Sequence, residues 1–205
     1  MRLYTLVAWL WFAALMPAAA RAEPNVVALG DSITAGYGLA PSEALPVQLE
    51  KVLRGQGVAV RIENAGVSGD TTAGGRARLD WAFASKPDFA IVALGANDML
   101  RGIDPAETRA NLDAILSSLR QRGVKVLLVG MLAAPNLGAT YGAAFNAIYP
   151  DLAKKHDVPL YPFLLDGVAM QQTLNQGDGI HPNARGAALI ADKLAPYVRR
   201  LLTGG

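Results

Sequence analysis

Ser32 closes the turn of Val26-Val-Ala-Leu-Gly-Asp-Ser-Ile-Thr-Ala-Gly36, and Asp178-Gly-Ile-His181-Pro182 lies near the other end of the chain. Serine, aspartate and histidine in that order supply a nucleophile, an orienting carboxylate and a base. The Asp178-x-x-His181 spacing lets one short loop present both side chains. The carboxylate then accepts from imidazole Nδ1–H, leaving Nε2 to take the serine proton. A plain strand-to-loop corner competes with this reading, because Gly, Asp and Ser all form turns. Asp31 in particular reads as a bonder of turn amides, and His181, before Pro182, as a turn or capping residue. The other histidine, His156, sits near an expected helix end between Lys155 and Asp157. There it is expected to face solvent or the helix dipole, so His181 is the better base. Ser68 is the rival nucleophile, but Gly66-Val-Ser68-Gly69-Asp70 lacks the last glycine of a G-x-S-x-G elbow.

The elements that must position these groups alternate along the chain. Apolar runs predict strands at Val26–Leu29, Val58–Glu63, Phe89–Leu94, Lys125–Val129 and, shortened by Pro159 and Pro162, Val158–Tyr161. Helices are predicted near Ala44–Arg54, Gly75–Ala84, Asp104–Arg122, Ala143–Lys155 and Asn183–Leu201. In the third, Asp104 reads as N-cap, Pro105 as first residue and Glu107 as capping-box partner, with Leu112, Ile115, Leu116 and Leu119 on one face and Gly123 as the stop. The last carries Ala187, Leu189, Ile190 and Leu194 on its buried side. Repeated strand–helix alternation indicates an α/β domain, and a five-stranded doubly wound parallel sheet is the simplest solution.

Loops that follow parallel strands open onto one edge of the sheet, where such folds place ligands. That edge would gather Ser32, the Asn64–Asp70 loop with Gly66, and the Gly95–Asp98 loop with Asn97. A bare glycine backbone at 66 and the Asn97 amide are candidate donors to a developing oxyanion; their ordinary alternatives are backbone freedom and turn formation. Asp98 reads as loop support. The uncharged segment Met131–Tyr141, after the fourth strand, suits a hydrocarbon groove, with Leu137 and Tyr141 as candidate substrate contacts.

The remaining composition narrows the field. Met1-Arg2, the apolar Leu3–Met16 run and Ala20-Arg21-Ala22 make residues 1–22 a secretory signal peptide, leaving 23–205 as one domain. A membrane anchor would need ~20 apolar residues, and too few precede Pro17. The 19 basic residues, less Arg2 and Arg21, leave 17 against 17 acidic ones in the mature chain. No dense basic and aromatic cluster argues for nucleic acid. With no cysteine, thiol catalysis and disulfides are excluded, and two histidines argue against a multi-histidine metal site.

Together Gly30-Asp31-Ser32, Gly66 in Asn-Ala-Gly-Val-Ser-Gly-Asp, Gly95-Ala-Asn97-Asp98 and Asp178-Gly-Ile-His181-Pro182 resemble the motifs of the GDSL, or SGNH, hydrolase family, in the family's order. The likeness is greatest to its secreted arylesterase and thioesterase I/lysophospholipase L1 branch. Isoleucine at 33 replaces the name-giving leucine, which preserves apolarity. The resemblance implies a flavodoxin-like sheet of order 2-1-3-4-5 and a serine esterase needing no metal or other cofactor. It implies Ser32 as nucleophile, His181 as base, Asp178 as orienter, and an oxyanion hole of the Ser32 and Gly66 N–H groups with the Asn97 side chain. Expected substrates are small esters or thioesters of apolar acyl or aryl groups, with contact to lipid substrates, in the periplasm or outside the cell. Two alternatives stand beside it: a carbohydrate O-deacetylase of the same fold, and a secreted binding module without catalysis.

Overall fold

The computed structural model describes residues 23–204. The signal-peptide reading of residues 1–22 lies outside the described residues. Five strands, β1 (Asn25–Gly30), β2 (Arg61–Gly66), β3 (Phe89–Ala93), β4 (Lys125–Val129) and β5 (Leu160–Tyr161), form one parallel sheet of order β2-β1-β3-β4-β5. This is the flavodoxin-like order implied by the motifs.

The helices are α1 (Ser32–Ala35), α2 (Leu45–Gly55), α3 (Thr72–Ala77), α4 (Leu79–Ala82), α5 (Ala96–Leu100), α6 (Pro105–Gln121), α7 (Ala139–Asn146), α8 (Ile148–His156) and α9 (Ala184–Thr203). On one side α9 packs on α2; on the other α6 packs on α3 and α8. Every β3 residue is buried, as a central parallel strand covered on both faces requires. The α6 stripe of Leu112, Ile115, Leu116 and Leu119 is buried as its 3.6-residue period predicts, with α6 lying against β4. Asp104 caps α6 by accepting from Ala106 N–H, without a return bond from Glu107 among the described residues.

Several boundaries differ from the sequence expectation, each for a physical reason. β2 begins at Arg61 rather than Val58 and runs through Asn64-Ala-Gly66, because its register is set by pairing with β1 from Asn25↔Arg61 to Gly30↔Gly66. As an edge strand it tolerates polar residues: Ile62 and Ala65 are buried while Arg61 and Asn64 are exposed. Gly66 is therefore a strand terminus rather than a loop residue. A Cβ there would lie 2.2 Å from Ala35 N, so only glycine lets α1 settle on the end of β2.

The expected Gly75–Ala84 helix is broken at Arg78, and the Ala143–Lys155 helix starts earlier and is broken at Ala147. The Gly95–Asp98 segment is no open loop. Gly95, at φ 119°, turns the chain directly into α5, which carries Asn97 and Asp98. β5 is only two residues long, because the prolines on either side cannot donate to the ladder. Among the described residues no helix is long and apolar enough to cross a membrane.

Candidate active site

Ser32 is the first residue of α1, immediately past the carboxyl end of β1, and is 9% exposed. Asp31 caps that helix: its Oδ1 accepts from Ile33 N–H at 3.0 Å, so the turn-bonding role read from the sequence is the one it plays. Ser32 therefore sits on a short turn whose backbone is tied from both sides. Ala35 N–H donates to Asp31 O at 2.9 Å and Gly36 N–H to Ser32 O at 3.1 Å.

His181 reaches this turn from a loop held as a tight hairpin before α9. Asn175 and Pro182 form an isolated antiparallel bridge, and Gln176 N–H donates to His181 O at 2.8 Å. Gly179, at φ 75°, makes the turn between them. Inside it Asp178 Oδ1 accepts from the N–H groups of Ile180 and His181, each at 3.0 Å, while Oδ2 lies 2.6 Å from His181 Nδ1. The bonds from His181, backbone first and then ring, lower the Asp178 carboxyl to about 2. An ionised carboxylate can only accept, so Nδ1 carries the ring proton and Nε2 presents its lone pair. Nε2 stands 2.9 Å from Ser32 Oγ. This hydrogen-bond distance joins residues 149 positions apart in the chain.

His156 is not at the surface as expected. It is buried at the end of α8, with Nε2 2.6 Å from Asp113 Oδ1 on α6, where it joins two helices. Ser68 is exposed and no hydrogen bond of its hydroxyl is found among the described residues. Asp98 supports the structure as read: it is 1% exposed and accepts from Thr72 N–H and the hydroxyls of Thr72 and Thr108.

Asn97 faces the same turn from α5. Its Nδ2 donates to Asp70 O at 2.9 Å and makes a long 3.4 Å contact with Asp31 Oδ2. Asp31 is 2% exposed, and burial pushes its carboxyl up to about 6 against the opposing pull of Ile33 N–H and His181. Gly66 N–H donates to Asn64 Oδ1 at 2.9 Å.

Two polar residues that the sequence reading passed over hold this arrangement. Arg78 donates through Nε to Asp70 Oδ2 at 2.6 Å and through Nη2 to Gly30 O at 3.0 Å. One guanidinium thus links the strand end before Ser32 to the segment whose carbonyl holds Asn97. Their spacing in the sequence carries no motif. Tyr149 OH, fully buried, donates to Leu94 O at 3.0 Å and fills the space under Gly95.

A cavity of about 290 Å³ opens beside Ser32, Asn97 and His181. Its wall is apolar: Met99, Met131, Ala134, Phe163, Leu165 and Met170 contribute. The Met131 segment does reach the sheet edge, but through Met131–Pro135. Leu137 and Tyr141, expected to touch substrate, are absent from this wall and pack on the core, with Tyr141 OH donating to Ile103 O at 2.9 Å. The reason is that the chain turns at Pro135–Leu137 and enters α7 at Ala139, which carries both residues away. Phe163 and Leu165 follow β5, so they belonged to a fifth strand-end loop that the sequence reading left unused. A wider cleft of about 580 Å³, lined by Arg120, Lys125 and Tyr197 among others, lies at the opposite edge, where β4 begins, and contains no serine.

A doubly wound sheet with a serine, a histidine and a carboxylate in hydrogen-bond sequence at its carboxyl edge defines an α/β protein equipped for nucleophilic acyl chemistry. Residues 28–189 match the GDSL-like Lipase/Acylhydrolase family, and the chain belongs to that family. It is 39% identical to Esterase TesA of Pseudomonas aeruginosa over 88% of this chain and 90% of that one. Thioesterase 1/protease 1/lysophospholipase L1 of Escherichia coli K12 is 38% identical, over 93% and 91% respectively. Among solved structures, AlinE4, an SGNH-hydrolase family esterase, superposes with a TM-score of 0.74 at 48% identity, covering 88% of this chain and 97% of that one.

Proposed function

We propose that the chain is a serine esterase that hydrolyses carboxylic esters and thioesters of apolar acyl or aryl groups through an acyl-enzyme on Ser32. The observation that carries this reading is the 2.9 Å approach of His181 Nε2 to Ser32 Oγ, with Asp178 on the far side of the ring. A free hydroxyl is a poor nucleophile at neutral pH, and a base at that distance removes its proton as it attacks. His181 takes the proton and becomes an imidazolium, which the ionised Asp178 stabilises. The imidazolium then protonates the departing alcohol or thiol, and water repeats the sequence on the acyl-enzyme.

The tetrahedral oxygen is assigned to the Ser32 and Gly66 N–H groups and the Asn97 amide. Asn97 suits this role because Asp70 O anchors one of its amide hydrogens and the other has only the long contact to Asp31. Gly66 would exchange Asn64 Oδ1 for the substrate oxygen. The apolar cavity is assigned to the acyl group. Its composition favours hydrocarbon over a sugar, which sets this reading above carbohydrate deacetylation. Residues 1–22 are assigned to export across the inner membrane, so the mature enzyme would work in the periplasm or the medium.

The test is labelling of the purified enzyme by a serine-directed phosphonate, read by mass spectrometry. Label on Ser32, lost together with turnover in Ser32→Ala, is expected. Label on Ser68, or full turnover by Ser32→Ala, overturns the assignment.

A further inference from the structure

Tyr37 touches both partners of the Ser32–His181 pair. Its N–H donates to Ser32 O at 3.0 Å, and its C=O accepts from Gln176 Nε2 at 2.7 Å. The same Gln176 amide donates to Pro182 O at 3.0 Å, so one side chain ties the backbone of Tyr37 to that of the His181 loop. Gly38 allows the approach: a Cβ there would stand 2.2 Å from Gln176 Oε1. The Tyr37 ring then lies against the imidazole, centroids 4.7 Å apart and planes inclined at 40°. That is within cation–π range of a protonated ring.

The Asp178 side chain is 39% exposed, whereas the His181 side chain is only 19% exposed. Water therefore screens part of the carboxylate's pull on an imidazolium, and the Tyr37 ring face adds a second attraction on the same ring, of the modest size expected at a partly exposed site. No hydrogen bond of the Tyr37 hydroxyl is found among the described residues, and the residue remains 54% exposed. Whatever Tyr37 does for His181 falls to the ring face.

We propose that Tyr37 is a positioning residue for the base: its aromatic face holds the imidazole in line with Ser32 Oγ and stabilises the imidazolium formed as Ser32 attacks. This rests on the reading of His181 as base. The interaction is stronger in the transition state than in the ground state, so it acts on kcat rather than KM.

The experiment is steady-state kinetics of the mature enzyme on a p-nitrophenyl ester, with Tm measured alongside. Tyr37→Phe should retain kcat, and Tyr37→Leu should lose about three- to tenfold in kcat at unchanged KM. Progressively fluorinated phenylalanines at position 37 preserve shape while draining the ring face of electron density. Over that series kcat should fall stepwise with Tm flat. A kcat independent of fluorination, or a Tyr37→Leu variant changed only in Tm or KM, overturns the proposal. His181→Ala separates the two layers: if it stays active, the reading of the base itself fails. If it is inactive while the fluorinated series is flat, only the role of Tyr37 fails.

Discussion

Asn97 Nδ2 stands 3.4 Å from Asp31 Oδ2, so the amide assigned to the oxyanion touches a carboxyl that burial pushes up to about 6. A carboxyl whose folded value is raised favours folding below its unfolded value of 3.8 and loses that contribution as pH rises through about 6. A shift of about two units corresponds to roughly 3 kcal/mol at full ionisation. Asp31→Asn keeps the acceptor for Ile33 N–H and removes the charge. It is expected to exceed the wild type in stability by up to roughly 3 kcal/mol at pH 8 and by little at pH 4. Urea unfolding at the two pH values checks this, and an equal difference at both would show that Asp31 ionisation does not govern it.

His181 and His156 each meet a carboxylate at 2.6 Å, yet they are expected to fail differently when truncated. His181→Ala should abolish measurable turnover with little change in Tm. His156→Ala should retain kcat and lose about 1–3 kcal/mol, because it removes a buried ring and its partly buried bond between α8 and α6. Kinetics and thermal unfolding on both variants check the ranking; a dead, fully stable His156→Ala would reverse it.

Asn97→Ala is expected to lower kcat about 10²- to 10³-fold with KM nearly unchanged, since its amide is assigned to charge present mainly in the transition state. Arg78→Lys, which cannot bond Asp70 and Gly30 in the same forked geometry, should produce a smaller loss of the same kind. A fold-intact Asn97→Ala with wild-type kcat would remove the amide from the oxyanion site.

Chain-length preference should follow the wall of the cavity. Each buried methylene contributes about 0.8 kcal/mol, close to fourfold in kcat/KM, until the cavity fills. Ala134→Trp is expected to abolish the gain on longer p-nitrophenyl esters while sparing the acetate. Leu137→Asp should leave the profile unchanged, because Leu137 faces the core side of its turn. A maximum at acetate in the wild type would remove the cavity from the acyl site.

Acid acts elsewhere. Asp178 has a depressed folded value, so its contribution to stability is complete above 3.8 and is lost only as pH falls towards about 2. Loss of activity between pH 4 and 6 with the fold intact would therefore not reflect protonation of Asp178. A 13C titration of its carboxyl, with a midpoint near 2, checks this.

The sequence by itself determined the α/β class, the number of strands and their parallel direction, while the order of the strands came from the likeness of the loop motifs to a known family. Continuous apolar runs such as Phe89–Leu94 need cover on both faces, and right-handed crossovers leave few ways to provide it. It also determined that Asp178 and His181 share one loop, because three residues of separation allow little else. The α6 face and its cap were equally local, resting on helical period and on Asp104-Pro105.

Tertiary structure decided what local pattern cannot encode. Register with β1, rather than apolarity, placed Gly66 on a strand and made its missing Cβ the seat of α1. His156 differs from His181 only in its neighbours, since α6 brings Asp113 to one and α1 brings Ser32 to the other. Leu137 has the composition of a groove residue, but the turn into α7 swings it inward, while Phe163 and Leu165 arrive from the end of β5. Distances across 149 residues of chain, and the burial that raises the Asp31 carboxyl, arise only when separate elements pack and exclude water.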